Sequence, residues 1–298
     1  MTSPTRALSL PPESRPRRVA SWLHRRPRMR LGLLLSSPMG WLVLIYLGSL
    51  AILFANAFFT RDAFSGETIY ELTLANFGRL LSDPYPGITL RTLTMAVAVT
   101  VTCALLALPI GFFMARIASP RLRGVLVVAV IVPLWASYLI KVYSWRLILA
   151  EEGLLNQLLA PLGIKGPGFG DVAVWLVFTY LWLPYMVLPV YAGLDRIPHS
   201  LLEASADLGG RSWITFRRVV LPLVLPAMVA GSIFTFSLTL GDYIAPAQVS
   251  TTIFIGNAIY SNFGAGNLPL AAALSIVPLG IVIVYLLVAR RLGAFEAL

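Results

Sequence analysis

The sequence predicts an all-α polytopic membrane protein of six transmembrane helices, and three observations carry that expectation. The chain of 298 residues is 58% hydrophobic and only 12% charged, with a mean hydropathy of +0.81, whereas soluble domains carry about 25% charged residues. Long uncharged runs recur along it, each near the roughly 20 residues a helix needs to cross a bilayer core of about 30 Å. The basic residues are confined to a tail and to alternate gaps between those runs. The net charge of +10 therefore reads as membrane topology. No nucleic-acid-binding motif accompanies it, which excludes nucleic acid as a partner.

In chain order, residues 1–37 form an Arg/Pro-rich tail (Arg6, Arg15, Arg17, Arg18, Arg25, Arg26, Arg28, Arg30), expected to be partly disordered, with Trp22 to Leu35 able to lie on the membrane. A secretory signal is the competing reading. The apolar run that follows is too long for one and no small-x-small site succeeds it, so it is read as an uncleaved first span. Spans are expected at about 38–59, 92–117, 124–149, 172–194, 219–246 and 268–290, making one transmembrane domain over 38–298 without internal repeats. Seventeen of the twenty-three basic residues fall in or beside the tail, the 118–123 gap, the 195–218 loop and the C-terminus. By the positive-inside rule those segments, and both termini, face the cytoplasm. On the other side Gly153-Leu154-Leu155-Asn156-Gln157-Leu158-Leu159 has helical spacing and reads as an interfacial helix. Pro109, Pro133, Pro184, Pro189, Pro226 and Pro278 interrupt spans, which a membrane helix tolerates when neighbours re-satisfy the freed carbonyls.

Enzyme chemistry finds little support. Cys103 lies alone in an apolar run, and His24 and His199 are the only histidines, so neither a metal site nor acid–base machinery is expected. No GxxxxGK[ST] loop occurs, so the chain is expected neither to bind nor to hydrolyse ATP, and no cofactor is called for.

The organising stretch runs from Glu203 to Pro222. Pro198 suits the start of a helix. Glu203 and Asp207, four apart, share a face although like charges at that spacing are mildly unfavourable. Gly209–Gly210 supply a residue tolerant of positive φ to end the helix. Trp213, Phe216, Arg217 and Arg218 follow, and Leu221–Pro222 re-enter the next span. A short amphipathic helix offered to a soluble partner is one reading; an ordinary solvated loop is the other.

Charge inside a span is expensive and marks candidate function. Asp242, in Gly241-Asp242-Tyr243, is the acid nearest the end of an otherwise uncharged run. It could attract a cation at the outer mouth of a pathway, or cap a helix break before Pro246. Lys141 and Arg146 read as side chains snorkelling to the interface. The aromatics Trp135, Tyr138, Tyr143 and Trp145 resemble an interfacial belt, and aromatic faces also bind alkylammonium groups. Trp135, Tyr138, Tyr143, Trp182, Tyr185, Asp242 and Tyr243 are therefore the candidate substrate path.

Glu203-Ala204-Ser205, three residues, Gly209, nine residues, Val219, one residue, then Leu221-Pro222 resembles the EAA loop of binding-protein-dependent ABC importer permeases. Ser205 stands for the usual alanine and Val219 for the usual isoleucine. Val132-Pro133-Leu134-Trp135 with Ile140 to Trp145, Gly153-Leu154-Leu155-Asn156, Leu183 to Pro189, Gly241 to Pro246 and Ile255 to Ile259 are similar to the spermidine/putrescine-type branch. Ala245 replaces a usual threonine, a Gly-Gly pair is missing after Pro246, and Leu268 replaces a usual tryptophan. The resemblance implies a type I (MetI-like) importer fold in the bacterial inner membrane. It implies a second permease subunit (a heterodimer), two ATP-binding cassette ATPases that bind the ATP, and an extracytoplasmic solute-binding protein. It also implies that Glu203, Ala204, Ser205, Asp207, Gly209, Leu221 and Pro222 couple the chain to an ATPase, and that the substrate is a polyamine or related organic cation. The alternative is a secondary transporter or channel without an ATPase, which would show inverted repeats or mid-membrane charge.

Overall fold

A computed structural model describes residues 27–62 and 65–293, so the expected disorder of residues 1–26 lies outside the described residues. The chain divides between Ala55 and Asn56 into two units. In the first, α1 (Pro27–Trp41) and α2 (Gly48–Asn56) are joined by a π-helical turn, Leu42–Leu47. Its apolar stretch Leu34–Asn56 is long enough to cross a membrane.

The second unit opens with a two-stranded hairpin, β1 (Thr60–Arg61) against β2 (Thr68–Ile69), and a short helix α3 (Ala75–Leu80). Its core is three helices: α4 (Tyr85–Phe112), α8 (Asp171–Asp195) and α11 (Leu221–Gly241), with α8 packed against both others. Helix α8 is apolar on nearly every side, the pattern of a helix surrounded by protein, and buries Val174, Val177, Phe178, Leu181, Met186, Val190 and Leu194. Between membrane helices close approach depends on small residues. A Cβ on Gly193 would lie 2.6 Å from the Ala227 Cβ, and one on Gly111 3.0 Å from the Val190 side chain. Half-buried polar bonds add direction: the Trp175 indole donates to Thr102 Oγ1 at 3.1 Å and the Tyr285 hydroxyl to Ser232 Oγ at 2.7 Å. Helix α14 (Leu268–Arg291) closes the unit against α11 and α13 (Ile255–Gly264).

The third expected span is not one helix. It is α5 (Pro120–Trp135) and α6 (Tyr138–Leu149), bent by 94°. Ala136 and Ser137 are extended, so the Pro133 carbonyl loses the N–H that a continuing helix would give it. Lys141 Nζ donates to that oxygen at 3.1 Å, so the basic residue read as snorkelling satisfies the break. Among the described residues, five helices are long and apolar enough to span a membrane, or six if the bent pair counts as one. The stretch Gly153–Leu159, read as helical from its spacing, forms the short helix α7 (Leu154–Leu159). The fifth span ends at Gly241 rather than 246, giving way to the short helix α12 (Ile244–Val249).

Candidate functional site

The loop between α8 and α11 is built from its turn. Helix α9 (His199–Asp207) starts after Pro198 and ends where Gly209 takes φ +78°, a left-handed conformation that costs glycine nothing. The Gly209 N–H then donates to the Ala206 carbonyl at 2.9 Å and the Gly210 N–H to the Ser205 carbonyl at 2.8 Å, which satisfies two of the carbonyls left open at a helix end. The second glycine is needed for space: a Cβ on Gly210 would sit 2.6 Å from the Ser205 carbonyl oxygen. Ser205 Oγ and Thr215 Oγ1 are 2.8 Å apart and hydrogen-bonded, so the serine in the usual alanine position ties α9 to α10 (Ser212–Thr215). Trp213 stacks on Phe216, centroids 5.7 Å apart, and a π-helical turn, Phe216–Val220, leads into Leu221–Pro222 at the start of α11.

What this scaffold displays faces outward. Glu203, Ala204 and Asp207 are exposed, as are Leu208 at 90% and Trp213 at 69%. Glu203 and Asp207 make no hydrogen bond or ion pair among the described residues. The base of the loop, by contrast, is held from the π-helical turn Phe113–Ile117 that follows α4, and from α5. Arg116 Nη2 donates to the carbonyls of Leu194 at 2.5 Å and Ile197 at 2.6 Å. Arg123 pairs with Asp195 at 3.2 Å and reaches the Ala115 carbonyl at 2.9 Å. Cations at a helix C-terminus favour its unpaired carbonyls. Sequence reasoning counted these arginines for their side of the membrane only.

Helix α11, 21 residues and so about 31 Å long, carries a second constellation at its other end. Asp242 Oδ1 accepts from the backbone N–H of Ile244 at 2.8 Å and Ala245 at 3.2 Å, which caps α12. Oδ2 accepts from the Tyr138 hydroxyl of α6. The capping role is thus present, and a second oxygen is turned to an aromatic neighbour. Tyr138 stacks on Trp182 (6.2 Å, 14°), Trp182 lies 6.1 Å from Tyr185, and Tyr185 stacks on Phe234 (6.1 Å, 23°). Of the candidate path, Tyr138, Trp182, Tyr185 and Asp242 therefore come together, and Phe234 joins them unforeseen. Tyr243 turns aside to stack on Tyr260 at 4.4 Å. Trp135 and Tyr143 stand exposed, at 87% and 48%. Arg146 hydrogen-bonds Gln248 Oε1 at 2.7 Å.

Residues 107–294, which contain α8, the whole loop and α11, match the model of the family described as binding-protein-dependent transport system inner membrane component. The chain belongs to that family. It is an ABC importer permease. It is 46% identical to the inner membrane ABC transporter permease protein YdcU of Escherichia coli K12, over 94% of this chain and 95% of that protein. It is 34% identical to the spermidine/putrescine transport system permease protein PotB of the same organism, over 80% and 88%. Among solved structures it is similar to the bacterial alginate ABC transporter in complex with an alginate pentasaccharide-bound periplasmic protein, with TM-score 0.67, 17% identity and coverage of 92% and 96%. It also matches an inward-facing MetNI methionine ABC transporter, with TM-score 0.55, 18% identity and coverage of 73% and 99%. These likenesses show the type I permease fold.

Proposed function

We propose that this permease imports spermidine, putrescine or a related small organic cation, by alternating access driven by ATPase subunits that grip α9. The observation that carries the coupling role is a conflict between local preference and placement. Two acids four residues apart, one of them at a helix C-terminus, oppose each other and the helix dipole. They are nonetheless held outward on a turn stiffened by Gly209, Gly210 and the Ser205–Thr215 bond. Local rules are typically broken where function requires it, and an outward acidic rod suits a groove of donors on a partner.

In this reading the loop and both termini face the cytoplasm. A second permease subunit, as a heterodimer, two ATPases and an extracytoplasmic binding protein complete the assembly, and ATP is bound by the ATPases. Closure of the nucleotide-bound ATPases moves α9. Arg116 and Arg123 pass that motion to α8, and the glycine-packed α4, α8 and α11 turn with it. An ATPase motion biases the transporter only through contacts that differ between its two states, so the rod must be stiff and well seated. The organic-cation substrate rests on the PotB relatives and on the aromatic–carboxylate cluster, a chemistry that attracts ammonium groups.

The test is uptake in proteoliposomes holding the complete complex. Radiolabelled putrescine and spermidine should accumulate only with ATP inside the ATPase-facing compartment and binding protein on the opposite side. Amine uptake indifferent to ATP would contradict the coupling. ATP hydrolysis stimulated by the binding protein with neither amine moving would contradict the substrate.

A further inference from the structure

We propose that Asp242 and the aromatic ladder Tyr138, Trp182, Tyr185 and Phe234 form an alkylammonium-binding site, in which the Tyr138 hydroxyl occupies the carboxylate until an ammonium group displaces it. The proposal rests on the organic-cation reading above and adds a place and a mode of binding to it.

Four observations support the site. The first is an uncompensated charge. Asp242 is half-buried, and among the described residues no Lys, Arg or His nitrogen forms an ion pair with it. The nearby basic side chains are engaged elsewhere: Lys141 with the Pro133 carbonyl, Arg146 with Gln248. A carboxylate withdrawn from water without a cation is costly, and such groups mark ion or substrate pathways in membranes.

The second is how that charge is held. One oxygen is fixed by two backbone N–H groups, so the side chain cannot swing away, while the other takes a single hydroxyl from a different helix. The fixed half makes the site rigid and the tyrosine half makes it exchangeable. An ammonium group offers that oxygen a hydrogen bond together with a full positive charge, which the neutral tyrosine hydroxyl lacks.

The third is the continuity of the aromatic faces. From Tyr138 through Trp182 and Tyr185 to Phe234, successive centroids lie 6.2, 6.1 and 6.1 Å apart. Phe234 sits eight residues back along α11 from Asp242, about 12 Å of helix rise, and is 49% exposed. The ladder thus leads from the half-buried carboxylate to an open surface within the span. Ammonium groups are attracted to Trp, Tyr and Phe faces within about 6 Å, most strongly when desolvated. The methylene chain of an amine suits the same apolar walls.

The fourth is an orphaned donor in the middle of the ladder. Trp182 is 7% exposed, and its buried indole N–H finds no acceptor among the described residues. Buried donors in native proteins are paired in the great majority. An unpaired one against the rings of Tyr138 and Tyr185 marks a polar group of the ladder that the chain itself leaves open.

The test uses the complete reconstituted complex with radiolabelled putrescine, reading uptake and binding-protein-stimulated ATP hydrolysis together. Asp242→Asn keeps the oxygen that caps α12, since asparagine caps as well as aspartate, and removes the charge. It should lower putrescine uptake per ATP hydrolysed at least tenfold while stimulated hydrolysis stays within twofold of wild type. Tyr138→Phe, which frees the carboxylate from its competitor, should leave uptake per ATP at or above the wild-type value. A merely structural bond between these residues would make the two variants fail alike. Wild-type uptake in Asp242→Asn, or equal loss in both variants, overturns the site while leaving the organic-cation reading intact. If the wild-type complex moves no amine, the substrate reading fails and the site falls with it.

Discussion

The two ends of α8 and α11 solve opposite problems. At the loop end the informative groups, Glu203, Asp207, Leu208 and Trp213, are on the outside and make few contacts within the chain. All the bonding lies behind them, in the glycine turn and the two arginines. At the other end the informative group, Asp242, is drawn inward and held by a helix 104 residues away in sequence. On the proposed reading, the first end pushes on another protein, and so presents charge and buries its scaffold. The second receives a small ion, and so withdraws charge behind an aromatic ladder. In this account the rigid, close-packed middle of the two helices links the two.

The comparison is broken most sharply at Glu203. Glu203→Ala removes an exposed side chain with no internal partner, so the protein should reach the membrane in normal amounts and lose ATP-driven uptake by about two orders of magnitude or more; uptake near wild type would place the loop among ordinary connections. Next comes Gly210→Val. Its Cβ meets the Ser205 carbonyl at 2.6 Å, and forcing such contacts apart costs about 1–3 kcal/mol. Uptake should fall about tenfold with the ATPases dissociating more readily from purified complex, because the display turn opens while the acids remain. Smaller still is Arg116→Ala, which removes charged bonds to the Leu194 and Ile197 carbonyls, each worth about 1.5–3 kcal/mol. Unfolding in detergent should shift to lower temperature, with uptake falling only severalfold. A variant as stable as wild type would remove Arg116 from the scaffold.

The contrast also explains what could be read from the chain beforehand. The spans and the loop were legible because their signals are local: runs of apolar residues, alternating charge, and a helix–glycine–glycine pattern within twenty residues. The break at Ala136–Ser137 was not, because the chain stays helical past Pro109 and Pro184, and what distinguishes Pro133 is the capping of its carbonyl by Lys141. The roles of Arg116 and Arg123 were hidden because their partners are backbone carbonyls about 80 residues away or an acid 72 residues away. The Asp242 cluster was half legible. Residue types named Tyr138, Trp182, Tyr185 and Asp242 but not Phe234, and only the bend that delivers Tyr138 sets Trp135 and Tyr143 apart.

The most direct measurement of the coupling claim is a cross-link from the tip of the rod. Cys103 is the chain's only cysteine and is fully buried, so Leu208→Cys places one accessible thiol at a position that is 90% exposed. Labelled with a maleimide photo-cross-linker in inverted membrane vesicles, it should form an adduct with the ATPase subunit whose yield changes when ATP is added. Labelling of that thiol from outside intact cells, with no ATPase adduct in the vesicles, would contradict the account.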